Sequence, residues 1–560
     1  MIKKQEGAVE KRAMGNLVKP VLNILSAVGA ALKKARIRAV RAFDSSATAF
    51  YLKKLRESIP YMKNSVIGAF LLTFGIYSSL IAVFKLTFAS GGSIEDVFVS
   101  LSAAVISLPL LFSRGTVGTL LTLSQTGALI AKAIGMRVHL NFSKAAWGRS
   151  NIAFLLGMLF GSATFMLSPL QVMVFVAAVV AASVIFTYPE AAALLLAIVF
   201  PLGDGRLFSL IALWGTFSLA VKIFRGKRSV SFHHHRAAVI ILLFIVFVSE
   251  LFKGDFRFTL MMLPFFILSA SDGHGDRAEQ TVSVAVAACG CIAAAYMAFV
   301  SVSVFGNVEA DFSAFNIQAM ALMCAALVPL AISYMLGKTG LPAQTAFLCS
   351  FVMIGFLVYN GYYMYLLASL ASIILFLFFY RRRASYAVFA VACAAYAIWV
   401  WMGGSNRIAV DHLMSFLKEL GIAYDAGWLY ILIGGNIEGS FGASESFYGA
   451  VISKLGVVGL AVLVCAAVLL FGYILREKHG KGEDKSSATY MRAWAPASSA
   501  IVLFICGLGT NVWAYDGVFA LFWILMGASS AIAADAESKS MRSEAALINS
   551  WDKTKAEIIL

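Results

Sequence analysis

The chain has 560 residues, of which 60% are hydrophobic and 13% charged, and its net charge is +16. Its mean hydropathy of +0.84 lies far outside the range of soluble globular proteins, so the composition excludes a purely soluble enzyme. Apolar runs of about 20 residues, enough to cross a bilayer core about 30 Å thick, recur from residue 64 to residue 533. The sequence therefore predicts an all-α polytopic membrane protein.

Basic residues dominate the first segment, residues 1–63, where apolar residues recur at helical spacing in 18–31 and 47–55. The pattern predicts either a basic amphipathic region lying on an anionic membrane face or an ordinary topology anchor. Both interpretations place the N-terminus in the cytoplasm. No short apolar run here ends in a small-residue cleavage site, so we expect the first span to direct insertion.

Candidate membrane spans follow in close succession, and we expect about 12 to 16 of them in total. They are 64–84, 97–113, 151–168, 170–188, 190–203, 206–224, 237–252, 258–270, 281–305, 313–336, 341–359, 361–380, 385–402, 447–475, 494–511 and 513–533. The predicted organisation is a basic N-terminal region, a transmembrane bundle, an extracytoplasmic loop, C-terminal membrane helices and a cytoplasmic tail. Their respective bounds are 1–63, 64–402, 403–446, 447–533 and 534–560.

If these spans alternate in direction, the basic clusters all lie on the cytoplasmic side. The main clusters are 114–149, 222–228, 233–236, 381–383 and 476–485. This distribution obeys the positive-inside rule and accounts for the net charge without nucleic acid. It predicts a cell-membrane protein with both termini in the cytoplasm. Three consecutive histidines, His233 to His235, cannot all face one metal ion, so we expect a solvated loop there rather than a metal site.

The opposite face carries many acidic residues and few cations. Arginine is selected against on the outer side of a membrane, which makes Arg206, Arg257 and Arg407 candidates for a function. The alternative is that each arginine pairs with a neighbouring acid, as Arg257 would with Asp255.

One long external connection, residues 403–446, contains an amphipathic pattern at 408–420 followed by several glycines. A loop of this length in a compact protein usually has a function. Nucleotide-binding, metalloprotease and nucleophile-elbow motifs are absent from the sequence, which argues against ATP-driven transport by this chain alone. The remaining pattern favours an outward-facing site for a substrate with a lipid tail and an anionic head.

Four stretches occur in an order that is typical of one family. They are Asp311 to Gln318 before a helix with Pro329, Gly361 to Arg383, Arg407 with the helix after it, and Glu445 to Tyr448 continuing to Leu460. In this order the chain resembles the O-antigen ligase and polysaccharide polymerase family, and its basic start resembles versions from Gram-positive bacteria. The resemblance implies a GT-C-like membrane glycosyltransferase that moves a glycan from a polyprenyl diphosphate carrier to an acceptor.

The resemblance also implies site residues. Arg257 and Arg407 would hold the diphosphate with help from Arg206, while Glu445 would act on the acceptor hydroxyl. Asn316 and Tyr448 occupy positions of family motifs and are predicted to contact substrate. The implied partners are a polyprenyl-diphosphate-linked glycan, a glycan or lipid acceptor and membrane lipid, with no metal or other cofactor.

The sequence departs from the family at four places. Ile317-Gln318 replaces Pro-Asn, Tyr359-Asn360-Gly361-Tyr362 lacks an expected arginine, Glu445 replaces a histidine, and Lys454 replaces a glutamate. Loss of the arginine and the histidine keeps an inactive scaffold open as an alternative. Two further alternatives are a lipid or glycan transporter without chemistry and a peptidoglycan-polymerase type. The last of these would use an external aspartate, either Asp411 or Asp425.

Overall fold

The computed structural model describes part of the chain, and that part is almost entirely α-helical. The described residues are 37–38, 61–88, 93–113, 115–123, 125–134, 150–199, 205–226, 228, 233–251, 256–269, 275–306, 316–337, 340–380, 385–390, 393, 432, 446–476 and 485–559. The predicted all-α class is confirmed. Most of the predicted span 385–402 and of the predicted loop 403–446 lies outside these residues, so the loop and the GT-C-like topology stay predictions.

The helices follow one another with short connections. In chain order they are α1 (Asn64–Phe88), α2 (Ile94–Phe112), α3 (Val117–Leu123), α4 (Gln125–Ile134), α5 (Ser150–Ala163), α6 (Pro169–Thr187), α7 (Glu190–Val199), α8 (Gly205–Phe224), α9 (His234–Leu251), α10 (Arg257–Ser269), α11 (Gly275–Gly306), α12 (Ile317–Gly337), α13 (Ala343–Tyr359), α14 (Tyr363–Tyr380), α15 (Phe447–Arg476), α16 (Lys485–Cys506) and α17 (Asp516–Ile559).

Nine helices in the described part of the chain are long and apolar enough to cross a membrane, and six shorter apolar helices accompany them. The chain is a multi-pass membrane protein. Helix bounds agree with the predicted spans to within a few residues in most cases, because uninterrupted hydropathy fixes where a span lies. α6, for example, was expected at 170–188 and runs from Pro169 to Thr187.

Two segments that were expected to be cytoplasmic loop or tail contain helix. Part of the basic stretch 114–149 forms α3 and α4, which are too short and too polar to have been recognised as spans. α17 continues unbroken to Ile559 and so includes the predicted tail from residue 534, whose cytoplasmic side stays a prediction.

The interior of the bundle is organised around α17. In its 18-residue window of highest apolar character every residue is buried, so this helix is surrounded by other helices rather than by lipid. Trp523 and Phe519 of α17 meet each other edge to face, and Trp523 meets Phe265 of α10 in the same way. Aromatic pairs of this geometry add to the packing energy of a core.

Glycines bring α1 into close contact with α2 and α5. A Cβ at Gly68 would lie 2.5 Å from the backbone nitrogen of Leu111 in α2, and one at Gly157 would lie 2.6 Å from the carbonyl oxygen of Phe70. Small residues at such positions let helix backbones approach each other, which is a main source of helix association in membranes. These glycines therefore dock α1 onto its neighbours.

Substituting Gly68 with alanine is expected to destabilise the protein by about 1–3 kcal/mol, because the clash is with backbone atoms that cannot rotate away. The thermal unfolding temperature of the detergent-solubilised protein would fall. Gly472→Ala is a matched control, since nothing lies within 4 Å of that position and alanine is the better helix former. Equal unfolding temperatures for the two variants would contradict the close packing of α1 on α2.

One membrane helix is interrupted. Gly456 in α15 has φ 71° and ψ −178°, a backbone conformation that only glycine adopts without strain. The three atoms nearest to a Cβ at Gly459, the next glycine of α15, belong to Leu455 of the same helix.

Candidate functional site

The first polar cluster joins the starts of α8, α10 and α17. Arg257, the first residue of α10, donates from Nε to Oδ1 of Asp516 at 2.5 Å, and its Nη2 lies 2.5 Å from Oδ2. The side chain of Asp516 is 2% exposed, whereas that of Arg257 is 44% exposed. A buried carboxylate that makes two contacts along one edge of a guanidinium fixes its orientation.

Gly205 makes room for this ion pair. A Cβ at Gly205 would lie 1.9 Å from Oδ2 of Asp516 and 3.2 Å from Nε of Arg257. The carboxylate therefore lies against the first residue of α8, where the positive end of the helix dipole favours an anion. The next residue, Arg206, is exposed at the same helix start.

Glu250, near the end of α9, positions the start of α10. Its two carboxylate oxygens accept hydrogen bonds from the backbone nitrogens of Phe258 and Thr259 at 2.8 and 2.9 Å. A carboxylate that caps two otherwise unsatisfied N–H groups stabilises a helix start. Because Arg257 precedes these two residues, the cap holds the arginine at the edge of the bundle.

Lys454 adds a second cation at the break in α15. Its Nζ lies 3.7 Å from the centre of the Phe258 ring, a cation–π contact that partly compensates an ammonium for lost hydration. Its backbone carbonyl accepts a hydrogen bond from Oγ of Ser249 at 3.1 Å. That carbonyl lies two residues before Gly456, where the helical hydrogen-bond pattern is interrupted, so Ser249 satisfies a group that the break exposes.

We call Glu250, Arg257, Lys454 and Asp516 the Asp516 cluster. It brings two cations and two carboxylates from four helices to one end of the bundle. One carboxylate binds backbone and the other orients the arginine. The arrangement suits an anionic ligand, because it places a guanidinium and an ammonium group at the same end of the bundle.

The predicted site residues fall into three groups. Arg257 belongs to the Asp516 cluster, and Arg206 lies beside it. Asn316 caps α12, where its Oδ1 accepts a hydrogen bond from the backbone nitrogen of Ala319 at 2.9 Å, and Tyr448 donates to the carbonyl of Phe504 at 2.8 Å.

Arg407 and Glu445 lie outside the described residues, as do Asp411 and Asp425. Their predicted roles stay predictions. Asp255 also lies outside the described residues, so its pairing with Arg257 stays a prediction. Among the described residues Arg257 binds Asp516, 259 residues away in the chain.

A second polar cluster lies at the opposite end of α8, which is about 30 Å long. Glu190 at the start of α7 forms ion pairs with Arg228 and with Arg277, the latter at 3.0 Å. Nearby on α11, buried Glu279 binds Arg492 of α16. These carboxylates are 2% and 4% exposed. Their ion pairs with Arg228, Arg277 and Arg492 hold α7, α11 and α16 together.

The histidine segment differs from the prediction of a solvated loop. His235 lies in the first turn of α9, is 2% exposed, and its Nε2 is 2.7 Å from Oγ of Ser530 in α17. Its ring stacks on Tyr473 of α15 with 4.7 Å between ring centres. Within the described part of the chain, no three His, Cys, Asp or Glu side chains could together hold a metal ion.

Sequence reasoning identified Asp516 and Glu250 only as acids of the outer face, and Lys454 only as a departure from the family. The signal that could have singled out Lys454 is its place inside an apolar span, where an ionisable residue is a functional candidate by default.

The fold and these clusters define a multi-pass helical membrane protein with a charged, partly open cluster at one end. Comparisons of the chain with protein-family models, curated proteins and solved structures gave no match.

Proposed function

We propose that the protein transfers or polymerises a polyprenyl-diphosphate-linked glycan at the outer face of the cell membrane, with the Asp516 cluster at the outer end. One observation carries the proposal: an oriented, half-exposed arginine and an intramembrane lysine converge at one end of a membrane bundle. A diphosphate carries two or more negative charges, and paired N–H donors of arginine match its oxygens.

The surroundings of the Asp516 cluster support a lipid-linked ligand. Leu207 and Leu210 in α8 and Leu251 at the end of α9 are exposed apolar side chains close in sequence to Gly205 and Glu250. In a membrane such a surface contacts acyl or prenyl chains. The head group can then reach the two cations while its tail stays in the bilayer.

The proposed reaction needs little from the protein beyond positioning. An oxygen of the acceptor hydroxyl attacks the anomeric carbon, a new glycosidic bond forms, and the bond between that carbon and the diphosphate oxygen breaks. Polyprenyl diphosphate leaves with the electron pair, so Arg257 and Lys454 would stabilise the developing negative charge. The proton of the acceptor would pass to the predicted base, Glu445.

The test is a transfer assay in right-side-out membrane vesicles that contain the protein. The donor is radiolabelled lipid-linked glycan isolated from the source cells. We expect labelled glycan on a new acceptor together with release of polyprenyl diphosphate, measured by chromatography. Label that remains on the diphosphate under all acceptor conditions would overturn the proposal.

A second candidate function is movement of the lipid-linked glycan without chemistry. The break of α15 at Gly456 favours it, because interrupted membrane helices commonly line substrate sites in transporters. The same vesicles separate the two functions. Labelled donor that changes sides without forming a new glycosidic bond would favour the transporter and argue against the enzyme.

A further inference from the structure

A second group of side chains lies at the same end of the bundle as the Asp516 cluster. Tyr365 in α14 accepts a hydrogen bond at its hydroxyl from Nε2 of Gln318 at 3.1 Å and lies 2.8 Å from Oγ1 of Thr510. Tyr515 donates to Oε1 of the same glutamine at 2.8 Å. Tyr362 stacks on Tyr365 with 5.3 Å between ring centres and an angle of 3°. We call these five residues the tyrosine cluster.

The turn between α13 and α14 fixes Tyr362. Gly361 has φ 74°, the left-handed conformation that commonly ends a helix. The backbone nitrogen of Gly361 donates to the carbonyl of Val358 at 3.2 Å, and that of Tyr362 donates to Leu357 at 2.9 Å. This pair of bonds is the Schellman pattern, so the backbone of Tyr362 is held by the helix end rather than by a loose loop.

The tyrosine cluster has hydroxyl and amide groups but no formal charge. Burial raises the pKa of Tyr362 and of Tyr515 above the ordinary value for a phenol, so both are neutral hydroxyls at physiological pH. Tyr362 and Tyr515 are half-buried, whereas Tyr365 and Thr510 are buried. Gln318, Thr510 and Tyr515 thus orient the ring of Tyr365, and Tyr362 lies parallel on its more exposed side.

The tyrosine cluster and the Asp516 cluster are adjacent. Tyr515 and Asp516 are consecutive residues, with Cα atoms about 3.8 Å apart. The side chain of Tyr515 reaches Gln318, while that of Asp516 reaches Arg257. The two clusters are therefore joined through consecutive residues at the start of α17.

We propose that the tyrosine cluster is a saccharide subsite, in which the half-buried ring of Tyr362 contacts the apolar face of a sugar ring. The inference rests on the proposed function, since it names where the glycan next to the diphosphate would bind. A sugar ring presents C–H groups on one face and hydroxyls at its edge. A rigid aromatic ring matches the face, and neighbouring neutral hydroxyl and amide groups match the edge.

The test uses free glycan, so that binding is measured apart from transfer. Glycan released by mild acid from the lipid-linked pool of the source cells is added to the full-length protein in nanodiscs, and binding is followed by saturation-transfer-difference NMR. We expect contact signals on the sugar protons with the wild type. Tyr362→Ala is expected to weaken binding about tenfold, whereas Tyr362→Phe should bind like the wild type because stacking needs the ring and not the hydroxyl.

Tyr359→Ala is the matched control, because Tyr359 ends α13 and is 59% exposed but lies outside the tyrosine cluster. It should bind like the wild type. No binding by the wild type, or equal binding by wild type and Tyr362→Ala, overturns the subsite. The predicted binding pattern without any transfer from lipid-linked donor supports the subsite and contradicts the proposed function. If the protein transfers glycan and Tyr362→Ala changes neither transfer nor glycan binding, the result supports the proposed function and contradicts the subsite.

Discussion

Replacing Arg257 with glutamine is expected to lower the rate of glycan transfer by about 100-fold, the effect typical of removing one preorganised donor that stabilises developing charge. Glutamine cannot present the paired N–H groups that the guanidinium directs at a diphosphate. It also leaves the buried carboxylate of Asp516 without its observed cationic partner. Arg257→Lys should recover little of the rate, because a lysine is a point charge without the planar fork.

Arg277→Gln is the matched control for this variant. Arg277 also lies in the first turn of a membrane helix and is ion-paired with a buried acid, but it belongs to the opposite end of the bundle. Glu190 keeps Arg228 as a partner in that variant. The transfer assay should give near wild-type rates for Arg277→Gln at matched protein levels. A wild-type rate with Arg257→Gln would contradict the assignment of Arg257.

Replacing Lys454 with methionine is expected to lower transfer by about 10- to 30-fold. Methionine matches the unbranched four-atom stem of lysine but lacks the charged amino group, so the variant tests electrostatic stabilisation rather than packing. We expect the effect to be smaller than that of Arg257→Gln, because an ammonium makes no bidentate contact with an oxyanion. Rates are measured at saturating and at low donor, to separate turnover from binding.

Lys85→Met is the control for the lysine variant. Lys85 also lies near the end of a membrane helix, where it donates a hydrogen bond to the carbonyl of Thr164 at 2.8 Å. Its hydrogen-bond partner, Thr164, does not belong to the Asp516 cluster. Equal losses in Lys85→Met and Lys454→Met would indicate a general effect of lysine removal and would contradict a specific role for Lys454.

Hydropathy predicted the helices well because a membrane span needs a continuous apolar run, and this requirement is local in the sequence. Predicted and observed bounds of α8, 206–224 and Gly205–Phe224, differ by a single residue. The short amphipathic helices α3 and α4 were missed because they do not cross the bilayer and have no such run. The buried His235 was missed because its cover comes from α15 and α17, far away in the chain.

The candidate site was only partly predictable. Residue type and the predicted membrane side singled out Arg257, because arginine is rare on the outer face of membrane proteins. The sequence could not identify the partner of Arg257. Asp516 lies 259 residues away in the chain, and only the helix packing brings the two residues together. The contact between Lys454 and Phe258 likewise joins residues of α15 and α10 that lie far apart in the chain.

The central place of α17 has a consequence for the biogenesis of the protein. α17 follows every other described helix in the chain, yet its membrane part is buried among them. The helices that are synthesised earlier therefore cannot complete their packing until α17 has been synthesised and inserted between them. Asp516 is the first residue of this helix, so the ion pair that orients Arg257 forms only after α17 has inserted. A nascent chain arrested before α17 would lack its central helix, and Arg257 would lack the carboxylate that orients it.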